Sequence, residues 1–312
     1  MSEPGTHVAG PWLHRLAWIS LVLTIGLTIG IGGSITSAEV GMAYPTWPDI
    51  NGSSLFNIFY GELSDAFGMG SVVEHTHRQA ATLTGLAVLI LAALAWLRRG
   101  TPRGVRKLAT WSLVVVILQG LLGASRVLDN DYLVAILHAM GAQFVVLLLV
   151  VLTMETARTP QVAAPAYPAH RVARLRLWST LTLVLLFLNL FAAASLRQKQ
   201  GAFAGHLVLA VTTSCVLLFV LQQVMTKFRG HAPLQRMAKA SISLLGAQLA
   251  LGAAAWAFLL GPLIGSFPDE DARFLFQSIL ATTHLLGGVL VLSLATGIRH
   301  EAVHRLRIEG PA

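Results

Sequence analysis

The sequence predicts an all-α integral membrane protein: eight transmembrane helices forming two duplicated four-helix bundles, with N- and C-termini cytoplasmic. Three observations predict it. Of 312 residues, 55% are hydrophobic and only 12% charged, about half the charge of an ordinary soluble domain. So few charges cannot build a water-facing surface, which excludes soluble globular and disordered classes. The apolar residues gather into eight runs, each near the roughly 20 residues that cross a bilayer as a helix. Finally, the basic residues crowd alternate connections, as the positive-inside rule requires of a multi-pass chain.

The eight runs lie at roughly 14–36, 75–97, 108–127, 132–154, 177–195, 203–226, 240–264 and 275–297. In lipid every backbone polar group must be satisfied within the fold, and runs of this length without strict alternation favour helices over barrel strands. The first run, from about Leu16 to Ile35, exceeds a signal-peptide core and no A-x-A site follows it, so it reads as a retained span. A loop at 37–74 follows, containing Tyr44-Pro45-Thr46-Trp47-Pro48-Asp49 and Asn51-Gly52. Its prolines and glycine suit turns, and its Trp and Tyr suit the headgroup layer. Arg98, Arg99, Arg103, Arg106 and Lys107 follow run two; Arg158, Arg171, Arg174 and Arg176 follow run four. Lys227, Arg229, Arg236 and Lys239 follow run six, and Arg299, Arg305 and Arg307 run eight. With Arg15 these are 17 of the 22 basic residues. The opposite connections hold Arg126, Arg197, Lys199 and Arg273, with Arg78 at the mouth of run two. Loop 37–74 is therefore expected outside the cell. The net charge of +8 then belongs to membrane flanks and implies no nucleic-acid partner. The single cysteine, Cys215, excludes an intrachain disulfide or cysteine-ligated cluster and reads as a packing residue.

A Pro/Ala-rich stretch at 159–169 separates two halves that repeat one another: 1–158, a cytoplasmic linker at 159–176, and 177–312. Run three carries Gln119-Gly120-Leu121-Leu122-Gly123 and run seven Gln248-Leu249-Ala250-Leu251-Gly252, both Q-x-x-x-G. Run four has His138-Ala139-Met140-Gly141 and run eight His284-Leu285-Leu286-Gly287, both H-x-x-G. Runs two and six each bear a histidine near one end, His77 and His206. Three matches in one order indicate duplication, and four spans per half make the halves run in the same direction.

Of eleven histidines, His7, His14, His170, His231, His300 and His304 fall in termini or cytoplasmic loops and are expected to be solvated. Ionisable residues inside spans are costly and face a bundle interior or a cavity. His77, His138, His206 and His284 sit one on each even-numbered run, all in the outer half of the bilayer by helical rise. Pairing His77 with His138 and His206 with His284 puts two imidazoles in each bundle. Haem iron takes axial ligands on either side of a flat apolar ring, whereas zinc and copper sites want three or four protein ligands. Two haems therefore fit better than two metal ions, with Gly141, Gly205, Gly287 and Gly288 placed to let a macrocycle approach. Glu74-His75-Thr76-His77-Arg78 is the densest cluster. Glu74 shares a helical face with His77, and Arg78 can pair with haem propionates or, four residues on, with Glu74. His75 points away from His77.

These residues resemble the haem A synthases, the CtaA/Cox15 group. The resemblance rests on Glu74-x-x-His77-Arg78, on Gln119-x-x-x-Gly123 before His138, on His206 and His284, and on Met42-x-x-Pro45-x-Trp47-Pro48. It covers essentially the whole chain. It implies an oxidoreductase of the cytoplasmic membrane that oxidises the C8 methyl of haem O to a formyl group by successive hydroxylation, giving haem A. His77 and His138 are then the substrate's axial ligands, with Glu74 the catalytic acid residue. His206 and His284 hold a haem b cofactor that delivers electrons. Partners implied are membrane lipid, an unidentified electron donor, and a haem O synthase or oxidase assembly factors. Two features depart from the pattern. The first outer loop lacks the cysteine pair of some bacterial members, and Leu207 stands after His206 where many members have arginine. The competing expectations are a di-haem b-type cytochrome that only carries electrons, and a transporter using histidines as proton relays.

Overall fold

The structure is a computed structural model and describes residues 10–38, 41, 46–49, 52, 54–58, 60–157, 165–267 and 269–309, apart from the side chains at 62, 66, 67 and 69. Met42, Tyr44 and Pro45 of the loop motif, Asn51, linker positions 159–164, Arg158 and His7 lie outside the described residues. Eight described helices are long and apolar enough to cross a membrane. They are α1 (Pro11–Ser37), α3 (Met69–Leu97), α4 (Arg103–Asp129), α5 (Tyr132–Thr156), α6 (Ala169–Arg197), α7 (Phe203–Lys227), α8 (Ala232–Leu260) and α9 (Glu270–His304). A short α2 (Tyr60–Phe67) precedes α3. By contacts the chain forms two compact units, Met1–Arg158 with Ala257–Leu286, and Thr159–Trp256 with Gly287–Ala312.

In the first unit, proline at the start of α1 presets the first helical turn. The helix widens into a π-helical stretch at Leu23–Ile29. Hydroxyls stitch it to α3 where lipid offers no alternative partner: Thr28 Oγ1 lies 2.8 Å from Thr84 Oγ1 and donates to the Ala80 carbonyl at 3.3 Å. α2 meets α3 at Gly68, whose φ of +78° favours glycine. Ser71 Oγ then donates back to the Leu63 and Gly68 carbonyls. α4 ends at Asn130 in the left-handed region, φ +48°, and Asp131 caps α5 by accepting from the Leu133 and Val134 amides at 2.6 and 3.3 Å. That two-residue connection makes α4 and α5 antiparallel neighbours. Trp12, Trp96 and Trp111 are exposed near the arginine-rich helix ends. Arg15 and Arg106 lie over Trp12 and Trp96, an arrangement suited to a membrane interface. The segment 257–286 contributes an aromatic knot of Phe258, Phe267 and Phe276.

In the second unit, Leu175, Leu186, Leu217, Val224, Leu245 and Leu292 form a buried core among α6, α7, α8 and the end of α9. Arg176 closes the end of α9, donating to the Ala302 and Val303 carbonyls at 2.8 and 3.0 Å; a cation there also complements the helix dipole. Two residues before α6, Ala166 and Tyr167, pair in parallel with Arg307 and Ile308, and the Tyr167 ring packs on Phe228 at 4.8 Å.

Several side chains depart from the sequence expectation. His14 is hydrogen-bonded to the Thr153 carbonyl and Thr156 Oγ1, and His231 and His300 are buried rather than solvated. Helix ends there pack against one another, which charge counting does not register. His170 and His304 are exposed as expected. Cys215 is exposed on α7 rather than packed, a place a weakly polar thiol tolerates when it faces lipid.

Candidate functional site

The first unit assembles the dense cluster of α3. Glu74 is 5% exposed and its Oε1 accepts from Arg78 Nη2 at 2.7 Å, the pairing that i, i+4 spacing allows. Arg78 also reaches away from α3. Its Nη1 donates to the Thr46 and Asp49 carbonyls at 2.9 and 3.3 Å. The arginine expected to meet propionates thus holds Glu74 and the described part of the loop. His75 is fully buried and belongs to a different set. It meets the Gln79 amide at 2.9 Å and the Tyr60 ring edge-on at 5.4 Å, while Tyr60 donates to Gln79 at 2.6 Å. His75 therefore fastens α2 to α3.

His77 leaves α3 on the face toward α1. A Cβ at Gly32 would stand 2.7 Å from its Cε1, so only glycine leaves the ring its place. The carbonyl of Thr28, in the π-helical stretch of α1, lies beside the same ring. His138 on α5 is seated likewise: a Cβ at Gly123 of α4 would stand 3.3 Å from its Cε1, and the Gln119 carbonyl lies beside it. Nδ1 of each ring is buried without a hydrogen bond of normal geometry. His77, His138 and Arg126 lie within electrostatic reach of one another, and Arg126 also within reach of Glu74. Arg126, counted in the sequence as a loop cation, stands in the last turn of α4. Neither it nor Gly32 carries a signal that one sequence could show.

The glycines expected to admit a macrocycle are otherwise employed. The Gln119 amide lies over Gly141, and that of Gln248 over Gly287 and Gly288. The Q-x-x-x-G and H-x-x-G motifs meet physically within each unit, glutamine upon glycine. Gly205 has open space where a Cβ would be. His206 is half-buried in the second unit beside the Asn189 carbonyl. His284 sits in the stretch of α9 that belongs to the first unit, where Thr282 Oγ1 meets Ser37 Oγ at 3.2 Å and Leu285 packs on Gly33.

Among the described residues no group of three or more His, Cys, Asp and Glu can hold a metal ion. A zinc or copper ion wants such a set. A haem iron, already held by four ring nitrogens, asks only for axial imidazoles. The first unit's pair of glycine-seated imidazoles, each with a buried Nδ1, is a donor set of the second kind, so the residues present fit a haem.

A family model described as cytochrome oxidase assembly protein, COX15-CtaA, matches residues 15–205. Curated relatives named heme A synthase include one from Staphylococcus carnosus, 24% identical over 61% of this chain and 60% of its own length. One from Geobacillus kaustophilus is 33% identical over 47% of this chain and 46% of its own, and one from Bacillus licheniformis 34% over 45% and 46%. The chain thus matches at most about three-fifths of the length of these relatives. With a matched segment that takes in Glu74, His77, Arg126 and His138 and more than half of all residues, the chain belongs to the COX15-CtaA family.

Proposed function

We propose that this chain is a haem A synthase, oxidising the C8 methyl of haem O through an alcohol and a geminal diol, which loses water, to the formyl group of haem A. The observation that carries this reading is the pair His77 and His138, each ring against a glycine and both within reach of Glu74's charged neighbourhood. Relatives named heme A synthase support it. In this reading the two imidazoles would hold the substrate porphyrin, whose iron with dioxygen as the oxidant and oxygen source would supply the oxidising power that no side chain has. Glu74, fixed by Arg78, is positioned to take up protons released as the methyl is oxidised. Arg78 keeps the carboxylate and the Thr46–Asp49 backbone in register. From the sequence repeat, His206 and His284 are assigned a haem b that passes electrons from a donor yet to be identified. The arginine-rich connections support placement in the cytoplasmic membrane with both termini inside. A haem O synthase and oxidase assembly factors are the neighbours this chemistry calls for.

The deciding experiment is co-expression with a haem O synthase in a host that makes no haem A, followed by extraction of the haems. Haem A or its hydroxylated precursor is expected. In the same host Glu74→Gln, which keeps an acceptor for Arg78 but removes the carboxylate, is expected to load haem while conversion falls at least a hundredfold, within the usual range for acid–base groups. A haem-loaded wild type that yields neither product overturns the reading in favour of an electron-carrying cytochrome.

A further inference from the structure

We propose that Arg126 binds a propionate carboxylate of the porphyrin held by His77 and His138, the part the sequence assigned to Arg78. The inference rests on the reading of those histidines as porphyrin ligands and adds the group that orients the ring's polar edge.

The register of α4 places Arg126. Gln119, Gly123 and Arg126 recur at i, i+4 and i+7, one face of a helix. That face is turned to α5, because the Gln119 amide covers Gly141 and Gly123 backs the His138 ring. Arg126 is one turn beyond Gly123, about 4.5 Å further along the axis, toward the hairpin at Asn130 and Asp131. A porphyrin ligated by His138 is therefore bordered on that side by a guanidinium. The same guanidinium lies within electrostatic reach of His77 and Glu74, so it fronts the same site from which both imidazoles emerge.

The neighbouring charges leave Arg126 available. Glu74 is bound to Arg78, and Asp131 to the first amides of α5. Arg78 is engaged by Glu74 and two loop carbonyls. Arg126 is only partly exposed; its carbonyl accepts from the Asn130 amide at 3.1 Å, and among the described residues its guanidinium makes no hydrogen bond or ion pair. A cation at the end of a membrane span whose nearby carboxylate, Glu74, is already bound to another arginine is costly. A carboxylate offers the planar, two-oxygen partner that a guanidinium fork fits best. Each propionate of a porphyrin supplies one.

The test uses the full-length protein in detergent, titrated with iron protoporphyrin IX and with its dimethyl ester, which keeps iron and ring but masks both carboxylates. Binding is read as the low-spin absorbance that His77→Ala removes. Arg126→Gln is expected to weaken binding of the free acid roughly tenfold or more and that of the ester less than twofold. Arg126→Lys, which keeps charge without the fork, is expected to fall between, and it serves should the glutamine variant not fold. Equal losses for acid and ester in Arg126→Gln would mean a structural role and overturn the proposal, as would no loss for either. If wild type shows no binding of either probe that depends on His77 and His138, the porphyrin reading itself falls and this proposal with it. A site that binds both probes alike in wild type and variant removes only Arg126.

Discussion

A methyl group at position 32 would lie 2.7 Å from Cε1 of His77, and one at position 123 would lie 3.3 Å from Cε1 of His138. The first distance forces the ring to move; the second asks for a few tenths of an ångström. Alanine is otherwise the better helix former by up to about 1 kcal/mol, so neither substitution threatens the helices. Gly32→Ala is therefore expected to lower His77-dependent haem loading at least severalfold without lowering the melting temperature, and Gly123→Ala to act the same way more weakly. Absorbance per protein together with a thermal melt decides it; full loading of Gly32→Ala would mean that the glycine does not set the ring's place. The histidines themselves were legible because ionisable groups inside apolar runs stand out. Their seats were not, since Gly32 touches His77 across 45 positions of sequence and nothing local marks it. Gly141 shows the opposite failure. It was legible as a small residue beside a ligand, yet the Gln119 amide occupies the space reserved for a macrocycle.

At the scale of elements, hydropathy located every span but shortened most of them. The run expected at 275–297 is a helix over Glu270–His304, and that at 177–195 extends over Ala169–Arg197. Apolar runs report only the hydrocarbon layer, while helices continue through the headgroup region where side chains such as Arg176 satisfy their ends. The helix α2 lay hidden inside an expected loop, being too short and polar for the pattern to register. One helix start has a consequence for pH. His231 begins α8, and its Nδ1 accepts from the Leu234 amide at 3.4 Å while Nε2 lies 3.6 Å from Glu301 Oε2. Burial, joined by the Arg305 guanidinium and opposed by a backbone hydrogen bond, holds this histidine below its ordinary pKa of 6.5. The unfolded chain then takes up the proton first as pH falls. His231 thus contributes stability that is complete above about pH 6.5 and declines below it. His231→Asn keeps an N-cap acceptor without a titrating ring. It is expected to match wild type in thermal melts at pH 8 and to lose less stability than wild type between pH 6.5 and 5. Parallel curves through that interval would remove His231 from the acid response.

Across the whole molecule, one contact is made twice, Gln119 on Gly141 in the first unit and Gln248 on Gly287 in the second. An even number of spans returns the chain to the side where it began, and from the arginine clusters we propose that this side is the cytoplasm. This proposed orientation bears on the chemistry, because it would put Glu74, Arg126 and the four span histidines toward the outer face. It can be read directly. In a Cys215→Ala background, which removes the only thiol, single cysteines replace Ser54, Gln200 or Arg99, each exposed. Ser54→Cys and Gln200→Cys are expected to react with a membrane-impermeant maleimide on intact cells, and Arg99→Cys only after the membrane is opened. The inverse pattern would turn the molecule over. Protons and the porphyrin's carboxylate edge would then meet the cytoplasm, and the charge bias of the connections would need another cause.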